Sequence, residues 1–239
     1  MIVKINSSRG SVNMLIGLTT RVDQDNRYKE VRDSLDIKWY SLLKDYPITP
    51  SLFPNNLEFV QRQLNYFHFD AFVLTGGGDV VSSELQCKQS EERFLIEVEL
   101  LENSRRNDIP VLGICRGFQS MLIQAGGVLE MVSGHVGNAH DIYSGQNLQR
   151  SLIGNVNSYH NFGISLKNLP TTYEPFAFDS DGNVEGAFNK LYPWIGIMWH
   201  PERGQSHICR KILDLLFNKF EKNKSNFSWA QYLKSFKIK

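Results

Sequence analysis

The apolar positions of the chain fall into two spacings that follow one another in turn. Met14 to Thr20, Ile48 to Phe53, Ala71 to Leu74 and Pro110 to Ile114 read as strands. Between them, Ser34 to Lys44, Asn56 to Phe67, a charged stretch from Ser90 to Arg105, and Arg116 to Gln124 read as helices, the last stopped by Gly126 and Gly127. Strand and helix in alternation predict an α/β fold with a mostly parallel central sheet and flanking helices. Gly127 to Val132 is expected to start a further strand. From Val156 to Trp199 the rhythm changes to short β-rich segments separated by turns such as Asp179-Ser-Asp-Gly-Asn183, which predicts a β-rich antiparallel addition in the C-terminal half. Gln205 to Phe220 reads as an amphipathic helix that closes the core, and residues 222–239 as a Lys-dotted, solvated helical tail. Met14 opens the first clear strand, so residues 1–13 read as a short appended segment or the product of an upstream start codon.

Composition narrows the picture. With 239 residues, 41% of them hydrophobic, and no linker or repeat, residues 1–239 are expected to form one domain. A net charge of +1 gives no field that argues for nucleic acid or a membrane surface, so a small-molecule partner is expected. No apolar run is long enough to cross a bilayer, and Met1 to Asn13 lacks the apolar core of a secretory signal. Three cysteines without metal-type spacing suit a reducing compartment, and a cytoplasmic location is expected.

The chemistry concentrates at two strand ends. In Pro110-Val-Leu-Gly-Ile-Cys115-Arg-Gly-Phe-Gln119 an apolar strand runs into a helix with a cysteine at the junction and glycines on both sides, the order of a nucleophile elbow. A free cysteine is more often a small buried hydrophobe, and Cys87 and Cys209 are read that way. Cys115 differs because its place at a helix N-terminus favours the thiolate, the attacking species. At the other end, Trp194-Ile-Gly-Ile-Met-Trp-His200-Pro-Glu202 is a strand running into His-Pro-Glu. The proline holds His200 extended, so Glu202, two positions on, lies on the same side and can orient the imidazole. Cys115, His200 and Glu202 thus supply nucleophile, base and orienter at the carboxyl ends of strands, where open α/β sheets place ligand sites.

Leu74-Thr-Gly-Gly-Gly-Asp79 follows a strand and admits close backbone approach. It serves as an oxyanion loop together with the N–H of Arg116, as a phosphate loop of neither known spacing, or as a tight turn. Asn155-Val-Asn-Ser-Tyr-His160 offers amide, hydroxyl and imidazole groups to a polar substrate. His135, His140 and His160 are not expected to bind a metal, because no carboxylate or thiol completes a recognisable set with them. No cofactor is implied.

At these residues the chain resembles the class I glutamine amidotransferases and, within them, the γ-glutamyl hydrolase branch that includes γ-glutamyl-γ-aminobutyrate hydrolases. The marks are Thr75-Gly-Gly-Gly-Asp79, the Gly-Ile-Cys-Arg-Gly-Phe-Gln run ending at Gln119, Asn157-Ser-Tyr-His160 and His200-Pro-Glu202. The resemblance implies a flavodoxin-like sheet, catalytic Cys115, His200 and Glu202, oxyanion contacts from the backbone of Gly77 and Arg116, and glutamyl contacts from Gln119, Ser158 and Tyr159. It implies hydrolysis of a γ-glutamyl amide through a thioester, by a chain acting alone or as a glutaminase subunit feeding ammonia to a partner synthase. Departures touch the pocket rim: Val80-Val-Ser-Ser-Glu-Leu-Gln-Cys87 follows Asp79, Met198 replaces a common Gln, and the family's Arg-Asp pair appears as Arg93-Phe94 with Glu97 retained. Gly134-His-Val-Gly-Asn-Ala-His140 is similar instead to hydrolases of a γ-glutamyl nucleotide amidate, which implies that His135, His140, Arg203 or nearby lysines meet phosphates.

Overall fold

The computed structural model describes residues 14–78, 80, 88–145, 150–204, 206–214 and 216–217. The proposed N-terminal extension, the C-terminal tail, Asp79, Cys87 and nearly all of the segment between them lie outside these residues. In chain order the strands and helices are β1 (Met14–Thr19), β2 (Arg21–Asp25), β3 (Glu30–Ser34), α1 (Lys38–Leu43), β4 (Ile48–Phe53), α2 (Leu57–Tyr66), β5 (Ala71–Leu74), α3 (Lys88–Asn107), β6 (Val111–Ile114), α4 (Arg116–Gln124), β7 (Glu130–Met131), β8 (Val136–Ser144), β9 (Ser151–Tyr159), β10 (Phe162–Gly163), β11 (Tyr173–Phe178), β12 (Val184–Asn189), β13 (Trp194–Ile197) and α5 (His207–Asp214).

Nine strands form one sheet in the order β4-β1-β5-β6-β13-β12-β11-β8-β9. From β4 to β13 each neighbour is parallel, which is the expected central sheet. From β12 to β9 each is antiparallel, so the β-rich half extends the same sheet at one edge. Central strands bury both faces, and their side chains alternate between two cores. Ala71 and Val73 of β5 join Ile16, Leu112, Ile195 and Trp39 on one side, while Phe72 and Leu74 join Val111, Phe118, Val60 and Ile96 on the other. Among the described residues no helix is long and apolar enough to cross a membrane.

Three expectations are corrected. The helix expected from Ser34 to Lys44 begins later, because Ser34 closes an antiparallel hairpin, β2 with β3. The hairpin escaped notice because its strands are mostly polar and nowhere fully buried, so they carry no alternation of apolar residues. The strand expected from Gly127 to Val132 shrinks to Glu130–Met131, paired only with β10. The antiparallel half starts earlier than expected, at Val136; of the expected C-terminal helix, His207–Asp214 is helical, and Gln205, Leu215 and 218–220 lie outside the described residues.

Helix α4 presses on the sheet at Gly117. A Cβ there would lie 2.0 Å from the Leu74 carbonyl oxygen of β5, backbone that cannot yield without moving the strand. Gly117→Ala is therefore expected to cost about 1–3 kcal/mol by overpacking. A thermal melt should show Tm falling by at least about 2 °C, and an unchanged Tm would contradict this contact.

Candidate active site

Strands β6 and β13 lie side by side in parallel, Ile114 opposite Ile197. The ladder continues one residue further, where the Cys115 N–H donates to the Ile197 carbonyl at 2.8 Å. Cys115 then turns at φ 48°, ψ −106°, a left-handed backbone that costs a non-glycine residue energy, and α4 starts at the next residue. This is the strained elbow expected from the sequence. The thiol stays buried at the elbow, and Gly117, two residues on, lets the helix stay close to the sheet.

The charge state of the thiol departs from expectation. Burial pushes the Cys115 thiol up to about 12; the Arg116 N–H opposes this, and the Glu202 and Glu185 carboxylates reinforce it. The helix N-terminus does act as expected, but desolvation of an almost fully buried sulfur outweighs it. At neutral pH the resting group is therefore the thiol.

The His200 imidazole is held by an apparatus the sequence showed only in part. His200 Nδ1 and Glu202 Oε1 are 2.6 Å apart, the expected contact; His200 is extended as its proline requires, but Pro201–Arg203 then form a 3-10 turn in place of the expected extended chain. Asn157 of β9 clamps the His200 backbone from both sides: its Oδ1 accepts the His200 N–H at 2.9 Å and its Nδ2 donates to the His200 carbonyl at 2.8 Å. Asn157 was legible as part of an Asn-Ser-Tyr-His run, but read as a substrate contact. Tyr159 stands edge-on to the imidazole with centroids 5.5 Å apart, and the Arg203 guanidinium lies 4.7 Å from the Tyr159 centroid. The imidazole rests against the main chain at Gly76, where a Cβ would come within 2.4 Å of His200 Cε1.

The glycine loop after β5 is fastened from behind by Arg93 of α3. Its guanidinium donates to the carbonyls of Thr75 and Gly77, each at 2.7 Å, and is paired with Glu97 one turn along the helix at 3.0 Å. Glu97 also accepts from Ser120 of α4 at 2.5 Å. In the sequence, Arg93 is what remains of the family's Arg-Asp pair, with Phe94 in the second place, and Glu97 is retained; the spacing of four on one helix is what joins Arg93 to Glu97. Gly77 takes φ 104°, open to glycine.

The other expected substrate contacts are partly committed elsewhere. Gln119 Nε2 donates to the Phe162 carbonyl at 2.9 Å, and the Ser158 hydroxyl donates to the His135 carbonyl at 2.6 Å. Arg116 turns its side chain inward to Glu97 and Ser90, leaving its backbone N–H at the elbow. His135 and His140 face the buried carboxylate of Glu185 instead of the cleft, so of the cations expected to meet phosphates, Arg203 is the one that lines it. Glu185 itself, a lone carboxylate in the fully buried strand β12, is the residue that sequence reading missed.

Beside His200 opens a cleft of about 200 Å³, lined by Arg21 and Asp23 of the hairpin, by Asp36 and Trp39, by Thr75 and Gly76, and by Glu202 and Arg203. Two guanidiniums, Arg21 held by Asp23 at 2.6 Å and Arg203 held by Asp36 at 3.4 Å, thus face the space next to the imidazole.

Two measurements check this geometry. Alkylation of Cys115 by iodoacetamide, followed by mass spectrometry, should inflect above pH 9, where an ordinary thiol is already titrated. An inflection below pH 8 would reveal a resting thiolate–imidazolium pair and overturn the reading. Gly76→Ala should displace the imidazole and lower turnover by at least about tenfold while the circular dichroism spectrum is retained; full turnover would show that the ring has room to spare.

A family model described as peptidase C26 matches residues 14–202. Gamma-glutamyl-CDP-amidate hydrolase of Campylobacter jejuni is 30% identical over 191 residues, which cover 80% of this chain and 90% of that protein. The arginine-specific small chain of carbamoyl phosphate synthase from Kluyveromyces lactis is 28% identical over 199 residues, 82% of this chain but 42% of that one. Among solved structures, a glutamine amidotransferase from Thermotoga maritima shares the fold with a TM-score of 0.55 at 15% identity, over 90% of this chain and 87% of that chain.

Proposed function

The chain belongs to the peptidase C26 family of glutamine amidotransferase-like hydrolases that act on amide bonds, and from that premise we propose that it releases glutamate from a γ-glutamyl amide, acting alone, through a thioester on Cys115. The observation that carries this reading is the adjacency of the Cys115 elbow and the His200–Glu202 dyad at the ends of neighbouring parallel strands, with the dyad lining an open cleft.

The chemistry follows from the charge states. Because the thiol is protonated at rest, its proton passes to His200 Nε2 as Sγ attacks the γ-carbonyl, so no free thiolate accumulates. Glu202, on Nδ1, fixes the tautomer that leaves Nε2 able to accept and stabilises the imidazolium that forms. The N–H groups of Gly77 and Arg116 are the donors proposed for the oxyanion. His200 returns its proton to the departing amine. Water, deprotonated by the same imidazole, then breaks the thioester and frees glutamate.

The leaving group we favour is a nucleotide phosphoramidate, as in γ-glutamyl-CDP-amidate. Two observations support it: a relative named for that substrate aligns over most of both chains, and Arg21 and Arg203 flank the space next to His200, suited to phosphate oxygens. A second reading, a glutaminase subunit that feeds a synthase, rests on the similarity to a synthase small chain.

Glutamate release by the purified chain, offered γ-glutamyl-CDP-amidate, γ-glutamyl-γ-aminobutyrate and free glutamine, separates these readings. The amidate is expected to exceed the others by at least about tenfold in kcat/KM, the worth of a charged hydrogen bond, and Cys115→Ala should abolish turnover. Silence on all three would favour the partner-dependent subunit, whereas undiminished turnover by Cys115→Ala would remove the proposed nucleophile.

A further inference from the structure

His135 just before β8, His140 within it and His160 just after β9 gather around one carboxylate, Glu185 of β12. His135, His160 and Glu185 are all more than nine-tenths buried, and one ligating atom from each lies within 4.8 Å of the others. Individual separations are 3.7 Å from His135 Nδ1 to Glu185 Oε1 and 3.5 Å from His160 Nε2 to the same oxygen. His140 Nε2 approaches Glu185 Oε2 at 3.4 Å. Both Glu185 oxygens, His160 Nε2 and His140 Nε2 lack a hydrogen-bond partner although they are shielded from water. A buried carboxylate left this way is costly.

The outer nitrogens of the rings define which atoms are free to ligate. His160 Nδ1 lies 3.0 Å from the Phe162 carbonyl, which can only accept, so Nδ1 carries the hydrogen and Nε2 keeps its lone pair. His135 Nε2 lies 3.2 Å from Asp179 Oδ2, and Asp179 is itself fixed by donors from Asp181 and Asn183. His135 Nδ1 therefore points its lone pair inward, near the Ser158 hydroxyl at 3.4 Å, whose hydrogen is given to the His135 carbonyl. With both rings neutral, two lone pairs aim at a carboxylate, an arrangement that repels unless a positive charge, a metal ion or a proton, sits between them. A carboxylate or carbonyl on the far nitrogen of each ring is the outer support that metal-bound histidines carry.

The spacing identifies the charge. Charge-assisted N–H···O bonds close to about 2.7–2.9 Å. Donor atoms around a tetrahedral zinc, with bonds of about 2.0–2.1 Å, stand about 3.3–3.4 Å apart. The 3.5 Å from His160 Nε2 and the 3.7 Å from His135 Nδ1, both to Glu185 Oε1, lie near that edge and outside the range of such hydrogen bonds. We propose that His135 Nδ1, His160 Nε2 and Glu185 hold a structural divalent metal of the zinc class, with His140 beside them on the second carboxylate oxygen. The site is independent of the assigned substrate and lies outside the cleft. It ties β8 and β9 to β12, whose Glu185 carbonyl accepts the Met198 N–H just after β13, and so braces the strands that carry Asn157 and His200. The absence of a carboxylate partner, on which the expectation of no metal rested, is corrected by Glu185.

The test is zinc itself on the full chain. Zinc per chain is measured by elemental mass spectrometry after dialysis, in the wild type and in Cys115→Ala, so that the nucleophile is ruled in or out as a ligand. One zinc per chain is expected in both. A Tm gain of about 5 °C or more is expected with zinc at a hundredfold excess over Kd, reversed by a chelator. Glu185→Gln and, as a second change, His160→Gln should lose that gain and the bound metal. Cobalt in place of zinc should give a tetrahedral visible band without the sulfur charge-transfer band of a thiolate ligand. Zinc far below one per chain with no Tm response would show that protons alone neutralise the cluster. Zinc that vanishes in Cys115→Ala yet persists in Glu185→Gln would place the metal elsewhere, and either result overturns the proposal.

Discussion

The parallel pairing of β6 with β13 is the constraint on which the rest depends. Backbone bonds place Cys115 one residue beyond the Ile114–Ile197 pair, and His200 follows three residues after Ile197 on the neighbouring strand. Two segments about eighty positions apart are thereby brought to one sheet end by main-chain hydrogen bonds alone, before any side chain contributes. A slip of this register by one residue would send Cys115 to the other face. The tight fit of α4 on β5 and the apolar packing on both faces resist such a slip.

Around that pairing the two halves of the sheet divide the work. The parallel half supplies the elbow and the glycine loop. The antiparallel half supplies what the histidine needs: Asn157 on its backbone, Tyr159 at its edge, and Glu185 with its histidines behind. Burial of the whole arrangement raises the thiol and makes every charge inside it more consequential. An exposed cysteine would ionise more readily but would lack the ordered surroundings in which a proton moves to one chosen nitrogen.

How much of this was legible follows from where the information resides. Strands β4 and β5 and helix α4 were read to the residue, because apolar runs bounded by turn residues signal them directly. The His200–Glu202 contact was legible because proline fixes the geometry locally. The hairpin β2–β3 was not, since half-exposed polar strands are held by pairing and not by burial. Glu185 was invisible for another reason. One acidic residue among Val184, Ala187 and Phe188 has no periodicity of its own, and its partners lie 25 to 50 positions upstream. The resting thiol likewise depends on depth, which no linear pattern reports.

The fastening of the glycine loop has a consequence for the polarity of the cleft. In a planar peptide unit the C=O and N–H bonds point in opposite directions. Arg93 draws the carbonyls of Thr75, Gly76 and Gly77 toward α3, so the following amides of Gly76, Gly77 and Gly78 are turned away from it. A buried cation that meets no substrate thus orients a row of dipoles with their positive ends outward. The loop's preference for an anion is written on the neighbouring helix, and losing the guanidinium would free three peptide planes to rotate and erase it.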